Sequence, residues 1–294
     1  MIGFIYPQSS SLSSQEETKE YRTFSSPFQD ITLGAKSALV LNPVNGEVLF
    51  AKNEHEPLPL ASIAKIMTAY VSHKVLADSQ DITLTSYALE ALGEYGFEIG
   101  DSWSKHDLTN ATLVKSANDG ARALAIESGK DFTRSFEETS QEKAFIDLMN
   151  RTAQELGFTS LSFENASGLD KGSQASALGS AEDVAQLFTY ITGEDQSILE
   201  ATTYDDFRAR VGGANYRYVN TNSMINQIPN VIASKTGFTD LAGGNLGIVY
   251  DSGLNQPIVI VVLGSTREGR FRDVHRLIDA TEAYLVEAGA RDTI

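Results

Sequence analysis

The stretch "PLPLASIAKIMTAYV", Pro57 to Val71, restricts the possible folds of this chain more than any other. Ala61, Ile63, Ala64, Ile66, Met67, Ala69, Tyr70 and Val71 suit a helix buried on most of its faces, which needs a body of protein packed around it. Lys65 falls in the middle of that run, where an unpaired ammonium is costly. Lysine is rarely fully buried without a partner, so Lys65 either snorkels to water or serves the interior.

The rest of the chain arranges itself around this helix. The strand-like runs "AKSALVLN" and "EVLFAKN" flank "PVNG", whose Asn45-Gly46 pair predicts a β-hairpin. Residues 81–106 are mixed and carry Gly93, Gly96 and Gly100, which suggests a loop-rich excursion. Helical patterns then run to about Ile191. "LTNATLVKSANDGARALAIES" is broken near Asn118-Asp119-Gly120, "EKAFIDLMNRTAQELG" ends on a C-cap glycine, Gly157, and "SAEDVAQLFTYI" opens on Ser180 with Asp183 three positions on. Strands return as "YDDFRARV", "YRYVN", "NVIASKTGF", "GGNLGIVYD" and "QPIVIVVLGS", and a helix closes the chain from about Glu268 to Ala288. A hairpin, a helical block, antiparallel strands and a final helix imply an α+β domain whose chain ends meet on one sheet.

Bulk properties narrow the function classes. A net charge of -16 and a pI near 4.6 argue against nucleic acid, whose binding relies on a basic footprint. With no cysteine, thiol chemistry and disulfides are excluded. His55, His73, His106 and His275 are scattered without metal-ligand spacing, so no metal is expected. "MIGFIY" is too short, and lacks the basic flank, for an intact signal peptide; it fits the remnant of one, or of a lost anchor. Residues 7–30, "PQSSSLSSQEETKEYRTFSSPFQD", read as a flexible lead.

Three short motifs could carry chemistry. Ser62 and Lys65 lie three apart and share a helical face. A serine hydroxyl needs a base to become a nucleophile, and a lysine whose pKa is lowered by burial can be that base. The plain alternative is a Ser62 helix cap with Lys65 reaching solvent. The same spacing recurs at Ser102/Lys105 and Ser140/Lys143, but in polar surroundings that predict solvated lysines. Ser116 and Asn118, in "VKSANDG", stand at a helical break, where they can relay a proton and bind an amide, or simply cap a turn. Lys235-Thr236-Gly237 ends a strand, where a lysine and a hydroxyl suit a carboxylate and a glycine admits a close backbone approach.

In this order, Ser-x-x-Lys, Ser-x-Asn and Lys-Thr-Gly form the motif set of penicillin-binding proteins and class A β-lactamases. With "LGFTSLSFENASGLD", "YVNTNSM" and "SKTGFTDLAGGNLG", residues 35–285 resemble the low-molecular-mass serine D-alanyl-D-alanine carboxypeptidases. The resemblance implies a β-lactamase/transpeptidase-like fold, an antiparallel sheet flanked by helices with a mainly helical second lobe. It implies a single catalytic domain over residues 31–294 after a lead over 1–30, without the extra C-terminal β-rich domain of some members. Ser62 would be the acylated nucleophile, Lys65 its base and Ser116 the proton relay. Asn118, Lys235, Thr236 and Gly237 would bind substrate, and the N–H groups of Ser62 and Phe238 would form the oxyanion hole. The implied substrates are peptidoglycan stem peptides, with β-lactams as acylating ligands and no cofactor. The implied location is extracytoplasmic, with membrane contact only through a missing N-terminal anchor.

The chain departs from the family at three places. Ala64 replaces a threonine beside the lysine, "SFENASG" replaces His-Phe-x-Asn-Pro-x-Gly, and Thr221 replaces an arginine of some members. Other readings are a D,D-endopeptidase of the same family, or a non-catalytic penicillin-recognising sensor or wall-binding domain. A class A-like β-lactamase fits less well, because no Glu-x-x-Leu-Asn element supplies a deacylating glutamate.

Overall fold

The computed structural model describes residues 26–93, 95–253 and 255–291. The lead expected over 1–30 lies outside the described residues as far as residue 25. Residues 27–30 form a turn, and Phe28 is buried against the rings of Phe50 and Tyr284. Packed structure therefore begins ahead of residue 31.

The predicted hairpin is present as β1 (Ser37–Asn42) and β2 (Glu47–Lys52), with Gly46 at φ 75° in its turn. A two-residue strand, β3 (Leu58–Pro59), leads into a 3₁₀ turn over Ala61–Ala64 and then α1 (Lys65–Val75). The excursion that follows is less irregular than its glycines suggest. It holds β4 (Asp81–Thr83), α2 (Ser86–Leu89) and β5 (Ser102–Ser104), with β4 and β5 paired. Next come α3 (Lys105–Lys115), α4 (Asn118–Gly129), α5 (Glu138–Glu155), short β6 (Ser162–Phe163) and β7 (Ala177–Gly179), and α6 (Ala181–Glu194). The last third holds β8 (Asp206–Val211), β9 (Ala214–Val219), β10 (Val231–Thr239), β11 (Gly243–Asp251), β12 (Pro257–Ser265) and α7 (Gly269–Arg291).

Five antiparallel strands form the main sheet in the order β10-β11-β12-β1-β2, so the first hairpin joins the last three strands as the element order implies. Both faces of this sheet are covered. Along β12, Val259, Val261 and Leu263 enter one apolar cluster with α1, α5 and α6, while Ile258, Ile260 and Val262 enter a second beneath α7. That is why "IVIVVL" reads as a continuous apolar run rather than an alternating one. Each such side chain contributes roughly 1.5–3 kcal/mol on full burial.

The pair β8–β9 does not extend the main sheet. Its Val211 and Tyr218 join Trp103, Leu108 and Leu124 in a third cluster, centred on the helical lobe. Ser180 caps α6 as predicted, its side chain accepting from the Asp183 N–H. The Asp183 carboxylate, however, turns to Ser160 rather than back to the Ser180 backbone.

Candidate active site

Ser62 is the second residue of the 3₁₀ turn and caps neither that turn nor α1, so the helix-cap alternative does not hold. A 3₁₀ turn superposes residues three apart, which brings Lys65 over Ser62. Ala61, just before, holds φ 48°, a left-handed conformation that costs a non-glycine residue roughly 1 kcal/mol.

Lys65 does not snorkel; it is wholly buried. Its Nζ lies 2.8 Å from each of Ser62 Oγ, Asn118 Oδ1 and the Ser167 carbonyl oxygen. The Asn118 amide orientation is fixed from its other end, where Nδ2 donates to the Leu92 carbonyl at 2.7 Å. Burial, and then the charge of Lys235, hold the Lys65 pKa well below the usual lysine range, while Asp119 opposes them. Two of the three partners can only accept, and the third is a hydroxyl that can donate. A neutral amine satisfies this set, with two N–H bonds outward and its lone pair on Ser62.

The Ser167 carbonyl is aimed by its loop. Asn165 Oδ1 accepts from the Ser167 and Gly168 N–H groups at 3.0 and 2.7 Å, and Asn165 Nδ2 donates to the Leu169 carbonyl. Thr68 Oγ1 donates to the Ala166 carbonyl at 2.6 Å, tying the loop to α1. Gly168 has φ 73°, and a Cβ there would collide with the Ala61 carbonyl oxygen. The variant "SFENASG" thus folds into a turn that grips the Ser62 turn.

The helical break falls between Ser116 and Asn118, as the sequence suggests. Ser116 ends α3 in the left-handed conformation, φ 61°, and Asn118 already opens α4. This kink directs Ser116 Oγ at Lys235, whose Nζ donates to it at 2.9 Å and to the Thr236 carbonyl at 2.9 Å. Lys235 is buried as well. Its pKa falls to about 7, through burial first and then the charge of Arg270. Arg270 Nη1 donates to the Gly237 carbonyl at 2.7 Å from α7, and Arg267 stacks over the Phe238 ring at 4.0 Å.

Strand β10 is the sheet's edge. Its Ser234 N–H donates to Thr202 Oγ1, away from β11, and antiparallel alternation turns the Thr236 and Phe238 N–H groups the same way, off the edge. Gly237 is required by proximity, since a Cβ there would meet the Leu60 carbonyl oxygen at 2.7 Å. Thr221 Oγ1 lies 2.6 Å from Thr236 Oγ1. A cavity of about 750 Å³ borders the cluster on the Asn118 and Ser167 side, with Arg122 and Glu142 in its wall.

All the residues singled out in the three motifs therefore converge. Of the look-alike pairs, Lys143 is exposed as expected, but Lys105 is not solvated. It is buried, donating to Asp78 at 2.6 Å and to the Leu76 carbonyl, because "SWS" forms strand β5 and starts α3 inside the fold. Sequence reasoning missed Arg270, Asp119 and the Ser167 carbonyl. Asp119 is buried beside the cluster with its pKa raised to about 6, chiefly by burial.

The arrangement is suited to acyl transfer: a hydroxyl on a lysine amine and a second hydroxyl on a second lysine, with Arg270 nearby. Residues 22–267 match the D-alanyl-D-alanine carboxypeptidase family. A D-alanyl-D-alanine carboxypeptidase of Bacillus subtilis is 30% identical over 253 residues, covering 83% of this chain and 61% of its own length. The chain thus spans about three fifths of that relative. An ampicillin-bound penicillin-binding protein of Listeria monocytogenes superposes with a TM-score of 0.69 at 26% identity, over 85% of this chain and 98% of that one. A Streptomyces DD-transpeptidase superposes with a TM-score of 0.77 at 21% identity, over 86% and 98%, so the α+β, transpeptidase-like fold is as expected.

Proposed function

We propose a function from one premise: the chain belongs to the D-alanyl-D-alanine carboxypeptidase family. It is a serine D,D-carboxypeptidase that hydrolyses the terminal D-Ala-D-Ala bond of peptidoglycan stem peptides. The observation that carries this reading is the Lys65 amine, buried and bonded to Ser62 Oγ at 2.8 Å.

Lys65, neutral, takes the Ser62 proton as Oγ attacks the carbonyl carbon of the penultimate D-alanine. The developing oxyanion sits between the N–H groups of Ser62 and Phe238, the latter turned off the sheet edge. Asn118 holds both the Lys65 amine and the peptide amide. Lys65 gives up the Ser62 proton by way of Ser116, held on Lys235, to the departing amine, and free D-alanine leaves. Water, giving a proton to the now neutral Lys65, attacks the Ser62 ester, and Lys65 hands that proton to Ser62 Oγ as the acid is released. Lys235 and Thr236 bind the terminal carboxylate, and Gly237 lets β10 lie close to the Ser62 turn. The cavity beside Asn118 gives room to the peptide ahead of the scissile bond. Strained β-lactams acylate Ser62 by the same route, in line with the ampicillin complex of the Listeria relative.

The substrate places the protein on the cell-wall side of the membrane. Among the described residues no helix is long and apolar enough to cross one. The test is product analysis with diacetyl-L-lysyl-D-alanyl-D-alanine and with a cross-linked muropeptide dimer. The proposal predicts D-alanine from the first. Monomers from the dimer without D-alanine from the tripeptide would make the protein an endopeptidase instead, and penicillin acylation without either product would make it a sensor.

A further inference from the structure

We propose that Thr221 is a positioning residue for the substrate carboxylate, its hydroxyl aiming the Thr236 proton at the anion. The inference rests on the D,D-peptidase reading above and on the assignment of Thr236 to the carboxylate. Thr221 Oγ1 and Thr236 Oγ1 are 2.6 Å apart, and only one of the two can donate in that bond. If Thr236 donates to Thr221, it offers the cleft only lone pairs, which repel a carboxylate. If Thr221 donates to Thr236, the Thr236 proton is free for the anion. Anion binding therefore selects the second arrangement, and Thr221 is the group that permits it.

The frame around Thr221 is fixed from both sides. Its own N–H donates to the Val114 carbonyl at 3.1 Å, two residues before Ser116 at the end of α3. Asn220 Nδ2 donates to the Thr202 and Tyr204 carbonyls at 3.0 and 2.9 Å, and Asn222 N–H accepts its place by donating to Asn220 Oδ1 at 2.8 Å. Thr202 in turn receives the Ser234 N–H of β10. One short turn thus registers the Ser116 kink and the β10 edge against each other, with the Thr221 hydroxyl at their junction. Lys235 is only partly protonated near neutrality, its pKa being about 7, whereas a hydroxyl donor does not titrate there. An oriented Thr236 proton keeps carboxylate recognition working as the lysine charge fades.

The experiment measures acylation of Ser62 by benzylpenicillin and by its carboxylate methyl ester, read by mass spectrometry over a concentration series. It compares the unmodified protein, Thr221→Val and Thr221→Ser. The acid-to-ester rate ratio is taken within each protein, so a loss of folded fraction cancels. The unmodified protein should favour the acid by about tenfold or more, as expected for hydrogen bonds to a charged group. Thr221→Val should lose most of that preference through a higher half-saturating concentration of the acid, with the limiting rate little changed. Thr221→Ser should recover the preference. A Thr221→Val ratio equal to that of the unmodified protein, or a loss that serine does not restore, would overturn the role of Thr221 while leaving the peptidase reading intact. Equal rates for acid and ester in the unmodified protein would instead remove the carboxylate site itself, and this inference with it.

Discussion

Lys65 Nζ donates at 2.8 Å to Asn118 Oδ1, and this one bond locks the helix beside the nucleophile to the first residue of α4. An amide oxygen there accepts a hydrogen bond without carrying a charge, which leaves the amine free to become neutral.

Asn118→Asp keeps the shape and adds a charge. A carboxylate against Nζ favours the ammonium, so the base is protonated at neutral pH and acylation should fall by roughly 10²-fold. The loss should shrink as pH rises, because the proton leaves Lys65 at a higher pH than before. Stopped-flow acylation across pH checks this; an unshifted profile would show that Lys65 does not act as the base.

Lys65→Arg keeps the charge but removes the proton transfer, since a guanidinium stays protonated throughout the accessible range. Acylation should fall by several orders of magnitude, on the order seen when a nucleophile loses its base. Near-normal acylation would assign Lys65 an electrostatic role only.

Lys235 burdens the fold at neutral pH. Its pKa is about 7 in the folded protein, and burial is the main cause. A depressed pKa means that the unfolded chain binds more protons between that value and the ordinary lysine range, so stability rises with pH across this window. Lys235→Met should therefore stabilise the fold at pH 6 by on the order of 1–3 kcal/mol, seen as a higher Tm, and by less at pH 10. Thermal melts at the two pH values measure the difference. A Tm gain that is the same at both would show that Lys235 is not the titrating group.

Gly237→Ala tests the approach of β10 to the Ser62 turn. Its Cβ would meet the Leu60 carbonyl oxygen at 2.7 Å and Ala61 Cβ at 3.3 Å, and the first of these is backbone that cannot rotate away. The expected cost is roughly 1–3 kcal/mol of stability, with slower acylation as Phe238 moves from the oxyanion. Unchanged melting and acylation together would mean that the strand has slack at this point.

The architecture was legible because the last strand is apolar on both faces, although Lys235-Thr236-Gly237 lies inside β10 rather than ending a strand. Val259 to Leu263 read as a strand and form the middle of a covered sheet, and Asn45-Gly46, read as a turn signal, closes a hairpin. Asn118-Asp119-Gly120, which look like turn formers beside the break at Ser116, are there for other reasons. Asn118 serves Lys65 and Leu92, and a Cβ on Gly120 would collide with Thr112 Oγ1. Lys105 misleads because polar neighbours in sequence say nothing of the Leu76 carbonyl 29 residues away that accepts its hydrogen bond. Arg270 had no local signal at all. It looks like any basic residue at a helix start, and only the fold brings it to Gly237. Ser167 contributes a backbone carbonyl, which no side-chain motif can announce.

The central claim is that Ser62, activated by Lys65, becomes acylated. Intact-mass and peptide mass spectrometry after incubation with benzylpenicillin tests it most directly, followed in time on the unmodified protein and on Ser62→Ala. The account predicts one penicillin mass on the peptide containing Ser62, and none on Ser62→Ala although that variant melts as the unmodified protein does. An adduct that persists in Ser62→Ala, or that maps to Ser116, Ser102 or Ser140, would contradict it.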